Sequence, residues 1–224
     1  MVLREHQSFF NLKTEMSKMK KVVLKCVNGI YKIPWFLKIY AGKRKYYFEY
    51  KGKLYDKEIK TNDKKVMQVS LLVNALNIRN KNERLSFIYD KSCDFLDEDF
   101  IHKNVCEFKC RKCIQDRLYN NLGGGCCCDS KNHSAMCPYL TKNGCSIKCL
   151  ACKFHICKTL KKKGYKYHVN DIYMLKYLLN WKQKIMIYND FFMTKDEVLK
   201  DLIRNSIIIW SFSKRKEFVK YNIK

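Results

Sequence analysis

Two stretches of β-like patterning open the chain, each folded about a tight-turn signal. Val22-Val23-Leu24 and Ile30-Tyr31-Lys32-Ile33 flank Asn28-Gly29, a dipeptide suited to a two-residue hairpin turn. Tyr46-Tyr47-Phe48-Glu49-Tyr50 runs through Lys51-Gly52 to Leu54-Tyr55 and predicts a second hairpin. Val66 to Ile78 is apolar and short of turn residues, which predicts a helix. Leu85-Ser86-Phe87-Ile88-Tyr89 predicts one more strand; an acidic stretch from Asp94 to Asp99 then leads into the cysteine region, with Asp97, Glu98 and Asp99 read as an exposed loop. Towards the other end, Asn170 or Asp171 caps a helix whose apolar face is Ile172, Leu175, Leu178 and Leu179, continuing towards Ile185. Thr194-Lys195-Asp196-Glu197 is a capping box that opens another helix through Val198, Leu199, Leu202 and Ile203. Ile207-Ile208-Ile209-Trp210 reads as a short buried strand before a basic tail.

These elements predict an α+β fold in four segments: a loose leader over 1–20, a β-rich part with one helix over 21–100, a cysteine-rich segment over 101–164, and a helical part over 165–224. The middle segment has few periodic apolar positions and carries Gly123-Gly124-Gly125, so it needs metal staples to hold a shape. Met1 to Leu12 has neither a long apolar core nor a small-residue cleavage site, unlike a signal peptide. Leu71 to Leu76 and Ile207 to Trp210 are too short to span a bilayer. A reducing cytoplasm is the expected compartment, where cysteines are thiols or metal ligands; thirteen, an odd count, argues against a full disulfide framework.

Eleven of those thirteen cysteines lie between Cys106 and Cys157. Cys106, Cys110 and Cys113 share the spacing C-x3-C-x2-C with Cys145, Cys149 and Cys152, and Cys126, Cys127, Cys128, Cys137 and Cys157 complete the run. Thiolates at such spacings suit a tetrahedral zinc ion or an iron–sulfur cluster; zinc ranks first and spacing does not separate the two. The eleven fill two four-ligand sites with three to spare, and Cys126 to Cys128, being consecutive, do not all reach one ion. His102, His133 and His155 rank below the cysteines as ligands. Cys26 and Cys93, outside the run, read as small apolar core residues.

Cys127-Cys128, then Cys137-Pro138-Tyr139-Leu140, Gly144-Cys145-Ser146-Ile147 and Cys157-Lys158 resemble the YkgJ-type cysteine-cluster family of zinc- or iron-chelating proteins, a likeness covering roughly residues 126–158. The resemblance implies metal chelation and carries no defined reaction. The family's Arg-Pro before the last cysteine is absent, and Cys149 and Cys152 stand in that region, so either Cys152 or Cys157 takes the last ligand role. Pro138 and Gly144 fit a tight loop that brings Cys137 back beside Cys145. C-x3-C-x2-C is also the ligand spacing of radical S-adenosylmethionine enzymes, which gives the alternative of an iron–sulfur redox or radical enzyme; Lys112 and Ala151 replace the aromatic residue those proteins carry before the last cysteine.

Charge widens the reading. The formal charge is +25, and residues 102–168 hold 14 basic against 3 acidic side chains. Thiolate-bound zinc offsets part of this excess, and a lysine-rich composition alone accounts for the remainder as readily as an anionic partner. If the charge is functional, Lys109, Arg111, Lys112, Lys148, Lys153 and Lys158 on the cysteine knuckles are candidate contacts to nucleic acid or an acidic protein, with Tyr165 and Tyr167 after Lys161-Lys162-Lys163 as stacking rings. No nucleophile elbow, phosphate loop, His-Glu-x-x-His or zinc-deaminase pattern is present, and no catalytic residue is named. Oligomeric state is not legible in the sequence.

Overall fold

The computed structural model describes residues 20–104, 106–107, 140–141, 144–145, 148–155, 158–190 and 193–204. The expected leader and the Ile207–Trp210 strand lie outside them, apart from Lys20. The chain divides into two compact units, Met1–Arg84 and Leu85–Lys224. A small sheet characterises the first and helices the second, so the fold is α+β.

In the first unit, β1 (Lys21–Leu24), β4 (Lys45–Tyr50) and β5 (Lys53–Tyr55) form one sheet in the order β1-β4-β5. β4 and β5 are the expected hairpin, with Lys51 and Gly52 both at positive φ as its twist requires. Asn28-Gly29 also turns a hairpin, but a shorter one: β2 (Cys26–Val27) pairs with β3 (Ile30–Tyr31). Val22 to Leu24 does not join that hairpin; it pairs in parallel with β4, Val22 opposite Tyr46 and Leu24 opposite Phe48. The reason is burial, since this register sets Leu24, Tyr46 and Phe48 together in the core.

Helix α1 (Lys64–Asn77) closes this core, and Asp63 caps it by accepting from the amides of Lys65 (2.8 Å) and Val66 (3.2 Å). Val66, Val69, Leu72, Val73 and Leu76 are buried at helical spacing, each contributing about 1.5–3 kcal/mol of transfer free energy. Its last residue ties helix to sheet. The Asn77 amide accepts from the Tyr46 N–H (2.8 Å) and donates to the carbonyls of Tyr46 (2.9 Å) and Asp56 (2.9 Å).

The predicted strand at Leu85–Tyr89 is instead part of α2 (Lys81–Lys103), and the predicted acidic loop is part of the same helix. Asn80 caps it, accepting from the amides of Asn82 (2.8 Å) and Glu83 (3.3 Å). Leu85, Ile88, Tyr89, Cys93 and Leu96 are all buried, which is helical spacing carried past the five residues read as a strand. Short helices follow in the second unit: α3 (Leu150–Phe154), α4 (Lys158–Lys162), α5 (Tyr173–Leu178), α6 (Trp181–Asn189) and α7 (Lys195–Arg204). The helix expected to run from Ile172 to Ile185 is broken at Leu179–Asn180, because Asn180 and Gln183 form a capping box that starts α6 afresh. Buried Gln183 also donates to the Leu202 carbonyl (3.1 Å), fastening α6 to α7. The Thr194–Glu197 box opens α7 as expected.

Replacing Asn77 with leucine strips partners from one amide and two carbonyls. We expect Asn77→Leu to lose about 2 kcal/mol or more in denaturant unfolding followed in the first unit, and a loss under about 0.5 kcal/mol contradicts this account of the helix–sheet join.

Candidate metal centre

Among the described residues of the cysteine-rich region, the segment around Cys149 is held by side chains of α2. The Tyr89 hydroxyl donates to the Lys148 carbonyl (3.2 Å) and accepts from the Leu150 N–H (3.3 Å), so one side chain holds the backbone on both sides of Cys149. Burial pushes the Tyr89 phenol well above its ordinary range, which keeps it protonated for both bonds. Lys148 pairs with Asp94 (2.8 Å) and buried Lys153 pairs with Asp97. Cys149 is the N-cap residue of α3, and its buried thiol donates to the Asp190 carbonyl (3.2 Å) at the end of α6. Cys152 lies half-buried on the first turn of the same helix.

Cys93, read from sequence as a core residue, is buried and free, with its thiol pushed up to about 12. Burial is the main cause; the Lys153 ammonium pulls the other way, and the charges of Asp97 and Cys149 add to the rise. Cys93 is therefore a neutral thiol within the electrostatic reach of Cys149. Cys26, read from sequence in the same way, is instead a free, exposed thiol on the edge strand β2 rather than a core residue.

At the far end of α2 a second small cluster forms. Leu160 is buried there, with Phe100, Cys106, Tyr165 and Tyr167 packed against it. Tyr167 stacks on Phe100 (centroids 4.9 Å, 19° between planes) and donates to Asp99 (2.7 Å), which also pairs with Lys103 (2.6 Å). Lys163 pairs with Glu107. At 1.5 Å per residue, the step from Tyr89 to Lys103 is about 20 Å along the helix axis. The backbone around Cys149 is held by Tyr89 in the first half of α2, whereas Cys106 packs in the cluster beside Phe100 near its end.

Cys145 lies on β7 (Gly144–Cys145), which pairs with β6 (Leu140–Thr141) so that Cys145 faces Leu140 across a two-residue turn. The tight loop expected to bring Cys137 back beside Cys145 depends on Cys137 and Pro138, which lie outside the described residues. So do Cys110, Cys113, Cys126, Cys127, Cys128, Cys157, His133, Lys109, Arg111 and Lys112. His155 is exposed at the end of α3, and only the helical backbone of His102 and Lys158 is described. Among the described residues, no group of three or more His, Cys, Asp or Glu side chains is arranged to hold a metal, and no helix is long and apolar enough to cross a membrane.

Of the knuckle lysines, Lys148 and Lys153 are occupied by carboxylates of α2, and Tyr167 is committed to Asp99 and Phe100. Sequence reasoning missed these partners because it placed Tyr89 on a strand, ended the element there, and read Asp97 to Asp99 as a loop. The signal was present: Asp90, Asp94 and Asp97 recur at i, i+4 and i+7, beside an apolar stripe at the same period. No protein-family model matches the chain, and neither does any curated protein or solved structure.

A raised pKa and burial both slow alkylation. In native protein at pH 8, Cys26 is expected to react with iodoacetamide while Cys93 stays unmodified until the chain is unfolded, read by peptide mass spectrometry. Equal labelling of the two would contradict the placement of Cys93.

Proposed function

We propose that the chain is a cysteine-cluster metal-binding protein whose Cys106–Cys157 segment takes zinc. The observation that carries this reading is the pair of C-x3-C-x2-C triplets in a segment too poor in apolar residues to build a core. The local geometry is compatible with it. Cys149 and Cys152 bracket the first turn of α3, the usual setting of a two-cysteine knuckle, and the β6–β7 hairpin leads Cys145 into the same stretch. Cys152, half-buried, is the better placed ligand of that pair; Cys149 must give up its bond to the Asp190 carbonyl and its proton to bind a metal. The remaining donors come from cysteines outside the described residues, and the likeness to chelating cysteine-cluster proteins over 126–158 points the same way. A bound zinc with a full set of thiolates acts as a structural staple, and no reaction is assigned.

The test is metal analysis of protein purified anaerobically under reducing conditions. One or two zinc ions per chain in a colourless sample are expected, and removing them with a chelator should lower the unfolding midpoint by about 10 °C or more. A brown preparation containing iron and labile sulfide would replace zinc with an iron–sulfur cluster. A chain that carries neither metal would end the proposal.

A further inference from the structure

Cations are distributed differently in the two units. In the second, Lys103, Lys148, Lys153, Lys163 and Lys195 each meet a carboxylate. In the first, residues 20–48 contain eight lysines and arginines and no acidic residue at all. Lys21, Lys25, Lys32, Lys38 and Lys43 of this tract are exposed, and none has a carboxylate partner among the described residues. Lys21 stands directly opposite Lys45 in the β1–β4 register, a like-charge pair that costs stability, relieved on one side by the Lys45–Asp56 ion pair (2.6 Å). An aromatic ring stands in the midst of these charges. Trp35 is 79% exposed, with Lys32 three residues before it and Lys38 three residues after. Folding gains almost nothing from a tryptophan held in water, and a run of unneutralised cations opposes folding.

We propose that this tract is a contact surface for single-stranded nucleic acid, with Trp35 stacking on a base and the flanking lysines meeting the phosphate backbone. A flexible polyanion supplies one charge per nucleotide and a π-face beside each, which is what alternating exposed cations and an exposed ring complement. The inference is independent of the metal reading, since no cysteine of the Cys106–Cys157 run lies in this unit. It also moves the candidate contact away from the cysteine knuckles, where Lys148 and Lys153 are already paired.

The experiment is fluorescence anisotropy of a labelled oligothymidylate strand titrated with the full chain at several salt concentrations. The chain is expected to bind, with affinity falling steeply as salt rises. Trp35→Ala should weaken binding about ten-fold and leave the salt slope unchanged, whereas Lys32→Gln with Lys38→Gln should make the slope shallower by one to two charges' worth, about 0.7 for each phosphate no longer neutralised. Because all three side chains are exposed, circular dichroism of the variants should match that of the parent protein. Lys161→Gln with Lys162→Gln, in α4 of the other unit, serves as the control and should leave affinity unchanged. The proposal is overturned by failure to bind at low salt, or by unchanged affinity in Trp35→Ala. Co-sedimentation with phosphatidylserine vesicles without oligonucleotide binding would overturn it too, and would assign the surface to an anionic membrane.

Discussion

Helix α2 is the element that the described cysteine-bearing segments of the second unit are held against. It presents two parallel stripes, one apolar through Leu85, Tyr89, Cys93 and Leu96, the other acidic through Asp90, Asp94 and Asp97. The first buries surface and sets the depth at which later segments pack. The second catches lysines, Lys195 at Asp90 (2.6 Å), Lys148 at Asp94 and Lys153 at Asp97, and so sets their register along the helix. Exposed ion pairs of this kind contribute about 0–1 kcal/mol each, so their stripe acts more as a guide than as a source of stability. Lys153 differs because it is buried; loss of Asp97 would strand its charge. Within the apolar stripe, Tyr89 also grips the backbone on either side of Cys149.

That arrangement bears on the metal reading. Cys106 packs beside Leu160 in a cluster with Phe100 of α2, whereas the backbone on either side of Cys149 is held by Tyr89, earlier on the same helix. The same ion pairs explain why basic composition in the cysteine region is a poor guide to partners, since much of its described charge is neutralised within the unit.

Legibility in the sequence followed the locality of each signal. The Asn28-Gly29 and Lys51-Gly52 turns, the Thr194–Glu197 box and the apolar run of α1 were readable because residues a few positions apart determine them. The parallel pairing of β1 with β4 was not, because only burial of Leu24 beside Phe48 selects it over extending the Asn-Gly hairpin. Leu85–Tyr89 was misread because five residues rich in β-formers were weighed without Asn80 before them and Cys93 and Leu96 after. Of the candidate site, the sequence displayed its ligand types and spacings. It could not show that Lys148 and Lys153 answer to Asp94 and Asp97, or that Cys93 is buried near Cys149, since both depend on α2 being a helix.

The inner coordination of the proposed metal is where the account stands or falls. X-ray absorption at the edge of the metal found in the purified protein reads that shell directly. The account predicts zinc surrounded by about four sulfur atoms at about 2.3 Å. A first shell of oxygen and nitrogen at about 2.0–2.1 Å would contradict it, because the cysteines would then not be the ligands.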